Sequence, residues 1–142
     1  MGADVYVFAE RSSDQGWQPA DLRKGRWHRE DGLEAVQLYD FGRDYLIFFV
    51  LTGYEHYRLD ASELPPPIVR RPRGRPVDLS HEVIDGREAE DLSQASWITP
   101  AEILTYDWHP LLALKPWWSD FLDRVAALEP PEDHRIVTWL TW

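Results

Sequence analysis

Apolar positions along the chain fall into short blocks separated by turn-forming and charged stretches. Val5 to Ala9 (VYVFA) combines β-branched and aromatic side chains and is followed by Ser12, Ser13, Asp14 and Gly16, which predicts a first strand closed by a turn. Residues 16–32 scatter Trp17 and Trp27 among Pro19, Gly25 and many charges with no period, an irregular segment with a short strand around Arg26 to Arg29. Leu33 to Asp40 is mixed and reads as a strand or an extended approach to the next block. In Arg43 to Thr52, Tyr45, Phe48, Phe49 and Thr52 share one helical face while Leu46, Phe49, Val50 and Gly53 share the adjacent one. Periodicity alone also allows a buried strand, but Gly53 placed as a C′ residue favours the helix.

From Tyr57 to Val77 the pattern changes to Pro65-Pro66-Pro67 followed by Arg70, Arg71, Pro72, Arg73, Gly74, Arg75 and Pro76. Consecutive prolines remove donors and impose extended geometry, so this is a surface loop. Leu79 to Ala89 is predicted as a short helix capped by Asp78 or Ser80. Thr99-Pro100-Ala101-Glu102 is the clearest helix start: a threonine N-cap, a proline at N1 and a glutamate at N3 form a capping box. Ile103, Leu104 and Trp108 give that helix an apolar side, and Pro110 is expected to stop it. A further helix runs from near Pro116 to about Leu128, with Trp117, Phe121, Val125 and Leu128 as its apolar stripe and Ser119, Asp120, Asp123 and Arg124 facing out. Trp117 and Trp118 cannot both enter one core, so one of them lies on the surface or against the loop. Arg135 to Trp142 (RIVTWLTW) is apolar on both faces and belongs inside a sheet.

Together these elements predict an α+β fold: a small antiparallel-containing sheet with the N- and C-terminal strands adjacent, and three to four helices packed on it. The 142 residues fit a single domain, with the Pro/Arg-rich loop at about 57–77.

Charge narrows the function. Fifteen Lys and Arg face 25 Asp and Glu, a formal charge of −10, which disfavours nucleic acid and anionic membranes as partners. The imbalance is uneven, since residues 1–84 hold 11 basic and 14 acidic side chains and residues 85–142 hold 4 and 11. Cysteine is absent, and Met1-Gly2-Ala3-Asp4 offers neither the basic nor the apolar region of a signal peptide, so the expected compartment is the cytoplasm. The longest apolar run, Tyr45 to Leu51, is far short of the roughly 20 residues that span a bilayer. Eight tryptophans are more than a small core readily takes, which raises an aromatic recognition patch beside the plainer reading of core and half-buried rings.

Catalytic and metal signatures do not emerge. His28, His56, His81, His109 and His134 lack metal-ligand spacing, and there is no nucleophile elbow and no phosphate loop. Neither a catalytic residue, a metal nor a cofactor is assigned, although Asp40 with Asp44, or Glu102 with Asp107, are acidic pairs of the kind acid–base chemistry uses. Two polar-aromatic clusters are the candidate partner-binding residues: Asp40, Arg43, Asp44 and Tyr45 at a helix start where Asp40 suits capping, and Tyr106, Asp107 and Trp108 at the end of the capped helix. Trp117 and Trp118 join them. Arg70, Arg71, Arg73 and Arg75 are candidate loop contacts to an anion or acidic partner. The plain alternatives are capping and packing for the clusters and, for the loop, a solvated connector whose arginines pair with the acidic remainder of the chain.

Four blocks carry a resemblance: Tyr39-Asp40-Phe41-Gly42-Arg43-Asp44-Tyr45, Pro72-Arg73-Gly74-Arg75-Pro76-Val77-Asp78-Leu79-Ser80, the run from Ser96 to Trp108, and Arg135-Ile136-Val137-Thr138-Trp139. In order and spacing they resemble an uncharacterised family of small acidic bacterial and phage proteins. This chain differs in carrying Phe41 before Gly42, Arg75 in the loop and Thr141-Trp142 at its end. The resemblance implies a bacterial, mobile-element setting and supplies no catalytic residue.

The expected function is a non-enzymatic acidic inhibitor that binds a basic protein, such as an immunity protein neutralising a bacterial toxin or a phage-encoded inhibitor of host defence. Negative charge speeds encounter with basic partners, and Trp, Tyr and Arg supply anchors. Two alternatives come from other classes: a small enzyme or ligand-binding protein with a pocket joining Arg43, Tyr45, Asp107 and Trp108, and a phage assembly component.

Overall fold

The computed structural model describes residues 2–24, 33–80, 83 and 92–141. Strand β1 (Asp4–Ser13) turns through Gly16, at φ 98°, into β2 (Gly16–Pro19). Short strands β3 (Leu22–Lys24) and β4 (Leu33–Ala35) pair with each other, so the stretch expected to be irregular contributes two short pairings. The strand anticipated near Arg26 to Arg29 lies outside the described residues, as does most of the helix anticipated over Leu79 to Ala89. Later come β5 (Ser93–Ile98) and β6 (His134–Thr141). The main sheet is antiparallel with order β2-β1-β6-β5, so the first and last strands are neighbours.

Helix α1 (Tyr45–Thr52) forms as predicted and ends where Gly53, at φ 81°, adopts the left-handed conformation that a side chain resists. A Cβ there would also meet the Val69 carbonyl oxygen at 2.6 Å, because the long loop crosses directly over this turn. The expected cap is corrected. Asp44, not Asp40, accepts from the Ile47 amide, while Asp40 accepts from the Gly42 amide in the turn that precedes the helix. Gly42, at φ 60°, must complete that turn before helical backbone can begin.

The capping box of α2 (Pro100–Thr105) is present in both halves, with Thr99 accepting from the Glu102 amide and Glu102 accepting from the Thr99 amide. Pro110 does not stop this helix; α2 ends at Tyr106, and Pro110 sits in the first turn of the next one, α3 (His109–Leu114). A proline has no donor to lose there. Helix α4 (Trp118–Ala126) follows, with Trp118, Phe121 and Val125 buried. Trp117 therefore leaves the predicted stripe: the helix begins one residue later, Trp118 takes the core position at 0% exposure and Trp117 is 54% exposed.

β6 separates two apolar layers. Ile136 and Leu140 join Val5 and Val7 under α1, α2 and α4, while Val137 and Trp139 face the other way with Phe8. Every residue from His134 to Leu140 is buried, as expected of a central strand covered on both faces. No helix among the described residues is long and apolar enough to cross a membrane.

Candidate functional site

Most of the candidate residues have internal work. The Asp44 carboxylate receives the Lys115 ammonium at 3.1 Å and the Trp118 indole N–H at 2.9 Å, tying the start of α1 to the start of α4. Lys115 also lies 5.1 Å from the centre of the Trp118 ring. Trp118 meets Trp108 edge-on at 6.2 Å, and Trp108 meets Tyr106 at 5.0 Å, so the two polar-aromatic clusters of the sequence do converge, through Trp118. What converges is packing. The Trp108 indole donates to the Ile103 carbonyl, the Tyr106 hydroxyl donates to the Pro66 carbonyl, and Asp107 accepts from the His109 amide. Burial and the neighbouring Asp107 charge push the Tyr106 phenol upward.

Arg43 and Tyr45 turn the other way. Arg43 approaches Asp4 at 3.6 Å on the surface, while the Tyr45 hydroxyl accepts from the Ala3 amide and its ring stacks on His56 at 3.8 Å. Burial and the Arg58 charge hold His56 below the ordinary histidine range. The pocket imagined from Arg43, Tyr45, Asp107 and Trp108 thus has its polar atoms drawn toward different neighbours.

Two arginine clamps organise the far end of the long loop, one on Arg135, which sequence reading missed, and one on Arg73, a candidate loop contact whose pairing with an acidic residue was the plain alternative. In the first, Glu10 and Arg135 are direct cross-strand partners on β1 and β6, and the Arg135 Nε–H donates to Glu10 Oε1 at 2.7 Å. The Glu10 residue is 0% exposed. Its second oxygen accepts from the Ser80 amide at 2.7 Å, and Arg135 donates to the Asp78 carboxylate at 2.8 Å and to the Asp78 carbonyl. The Arg135 hydrogen bond holds the Asp78 carboxyl below its ordinary value. Trp17 covers the guanidinium at 4.2 Å. Beside it an open depression of about 360 Å³ is lined by Gln15, Gln18, Leu79 and Ser80 among others. The one available signal was a lone arginine in an otherwise apolar last strand; its partner Glu10 is fixed by strand register, which the structure supplies.

The second clamp closes on Arg73. Its guanidinium bonds both oxygens of Glu102, one at 2.8 Å, and lies 4.4 Å from the Trp97 ring, while its backbone N–H donates to Ser96. Chiefly through Arg73, the Glu102 carboxyl is lowered to about 2. Glu102 is thus both capping residue and clamp acceptor. Arg70, Arg71 and Arg75 differ from Arg73 in having neither a hydrogen-bond nor an ion-pair partner among the described residues.

Among the six described tryptophans, Trp108, Trp118 and Trp139 are buried, Trp17 and Trp97 are half-buried over arginines, and Trp117 is exposed. The described residues hold no group of three or more His, Asp or Glu side chains arranged to take a metal ion. The fold and these clamps define an α+β protein with a four-stranded antiparallel sheet and an arginine-fastened surface loop. No protein-family model, curated protein or solved structure matches the chain.

Proposed function

We propose that the protein is an acidic inhibitor that works by binding a basic protein in the cytoplasm, in the manner of an immunity protein or a phage-encoded antagonist of host defence, and that the turn between α3 and α4 carries the anchor. The supporting observation is Trp117, which stands 54% exposed beside Leu114 at 72%. A tryptophan presented outward is the kind of anchor that dominates protein interfaces. Exposed Asp120 follows in the first turn of α4, its amide bonded to the Trp117 carbonyl, which also accepts from the Tyr39 hydroxyl. An exposed indole on a chain of net charge −10 suits a cationic surface, which the field attracts before contact.

The test is binding to proteins encoded next to this gene, measured at low and high salt. The expected result is tight association with a basic neighbour that weakens with salt, and a loss of about 30-fold or more in Trp117→Ala, the size of a hot-spot truncation. Affinity indifferent to both salt and Trp117→Ala would sink the reading.

A further inference from the structure

The segment between the two clamps is held in place yet packs little of itself. Arg73 fastens its start to Glu102 and Ser96, and the Asp78 and Ser80 contacts fasten its end to Arg135 and Glu10. Between them Gly74, at φ 79°, turns the chain, Pro76 is buried, and Arg75 and Val77 project. Val77 is 105% exposed, as free of contact as in an extended chain. Burying a charge pair such as Glu10 with Arg135 adds little net stability over apolar residues of similar size, and such pairs are known to fix conformation. Here the conformation fixed is that of a loop with a bare valine beside an unpaired arginine, and with Arg70 and Arg71 a few residues upstream.

We propose that residues 74–77, with Arg70 and Arg71, form a preorganised docking loop for an acidic protein segment that carries an apolar side chain. Guanidinium groups match carboxylates in forked hydrogen bonds, and among the described residues Arg70, Arg71 and Arg75 have no acidic partner. Val77 separates a protein from a nucleic acid as the occupant: a phosphate backbone offers it no apolar contact, and a polyanion is repelled by the rest of the chain. Clamping lowers the ordering cost of binding, so Arg73 acts as a positioning residue without touching the ligand. The loop seeks anions where the Trp117 face seeks cations, so either can fail without the other.

Amide NMR of the full chain tests this with three probes: a peptide alternating glutamate and leucine, an all-glutamate peptide of equal charge, and a single-stranded RNA oligonucleotide. The glutamate–leucine peptide is expected to shift the amides of Gly74, Arg75 and Val77 and to bind about 10-fold tighter than the all-glutamate peptide, in line with one buried aliphatic side chain. Val77→Ser, at a fully exposed position, should erase that difference, and Arg75→Glu should abolish binding. Arg73→Ala should weaken the peptide while the rest of the spectrum stays folded. Equal affinity for the two peptides, binding of RNA in preference to either, or shifts confined to residues outside the loop would each overturn the proposal.

Discussion

The two clamps are built from the same parts, an arginine, a carboxylate and a tryptophan face, and they differ in depth. Arg135 and Glu10 show side-chain exposures of 9% and 0%, whereas Arg73 and Glu102 show 27% and 32%. Water therefore competes for the Arg73 pair and screens it, while the Arg135 pair has little beyond its own neighbours to satisfy it. The comparison teaches that two short ion pairs can differ widely in what the loss of one member costs. What separates them is the cost of leaving one member behind.

Breaking the deep clamp should have the largest effect. Arg135→Ala leaves the Glu10 carboxylate buried with only the Ser80 amide, and should destabilise the protein by about 3–5 kcal/mol in urea unfolding. Replacing both members, Glu10→Leu with Arg135→Met, should recover most of that loss, because no buried charge remains. A double variant as unstable as Arg135→Ala would show that the pair itself, not the orphaned charge, carries the cost. Next in size, Thr99→Ala removes the capping half that Glu102 does not supply and should cost about 1 kcal/mol of thermal or urea stability. Arg73→Ala should cost about 1 kcal/mol or less and should shrink as salt rises, whereas the Arg135→Ala effect should hardly respond to salt.

The finest distinction is in pH. Glu102 has a folded value of about 2 against an ordinary value of 4.5. A carboxyl lowered by folding adds stability that is complete above its unfolded value and is lost as pH falls through the folded one. The stability gap between the natural chain and Glu102→Gln should therefore be widest above pH 4.5 and close toward pH 2 in acid-dependent urea midpoints. A gap that stays constant over that window would detach Glu102 from the Arg73 clamp. Asp78, lowered chiefly by Arg135, adds an acid-sensitive contribution of the same sign that Asp78→Asn should remove.

Legibility followed the range of the interaction. The capping box at Thr99, the αL glycine at position 53, the proline-rich loop and the doubly apolar last strand are set by residues within a turn of one another, and each appears where its local chemistry required. Errors arose where two local signals competed. Asp40 and Asp44 both suit an N-cap, Pro110 suits a stop or a start, and Trp117 and Trp118 suit the same stripe. Tertiary contacts decided the first and last: Asp44 is the one within reach of Lys115 and Trp118, and Trp118 is the ring that meets Trp108 and Phe41.

The sequence by itself determined the α+β class, the adjacency of the two end strands and the acidic field, because these depend on propensity, periodicity and composition. Only the folded chain decided which charges are spent and which are free. Glu10 and Arg135 are 125 residues apart and meet through strand register, while Arg73 and Glu102 meet because the loop crosses the start of α2. Among the arginines of one short loop, the fold ties Arg73 down and leaves Arg75 in solvent, since the reach of a guanidinium to a carboxylate is fixed by backbone placement in three dimensions.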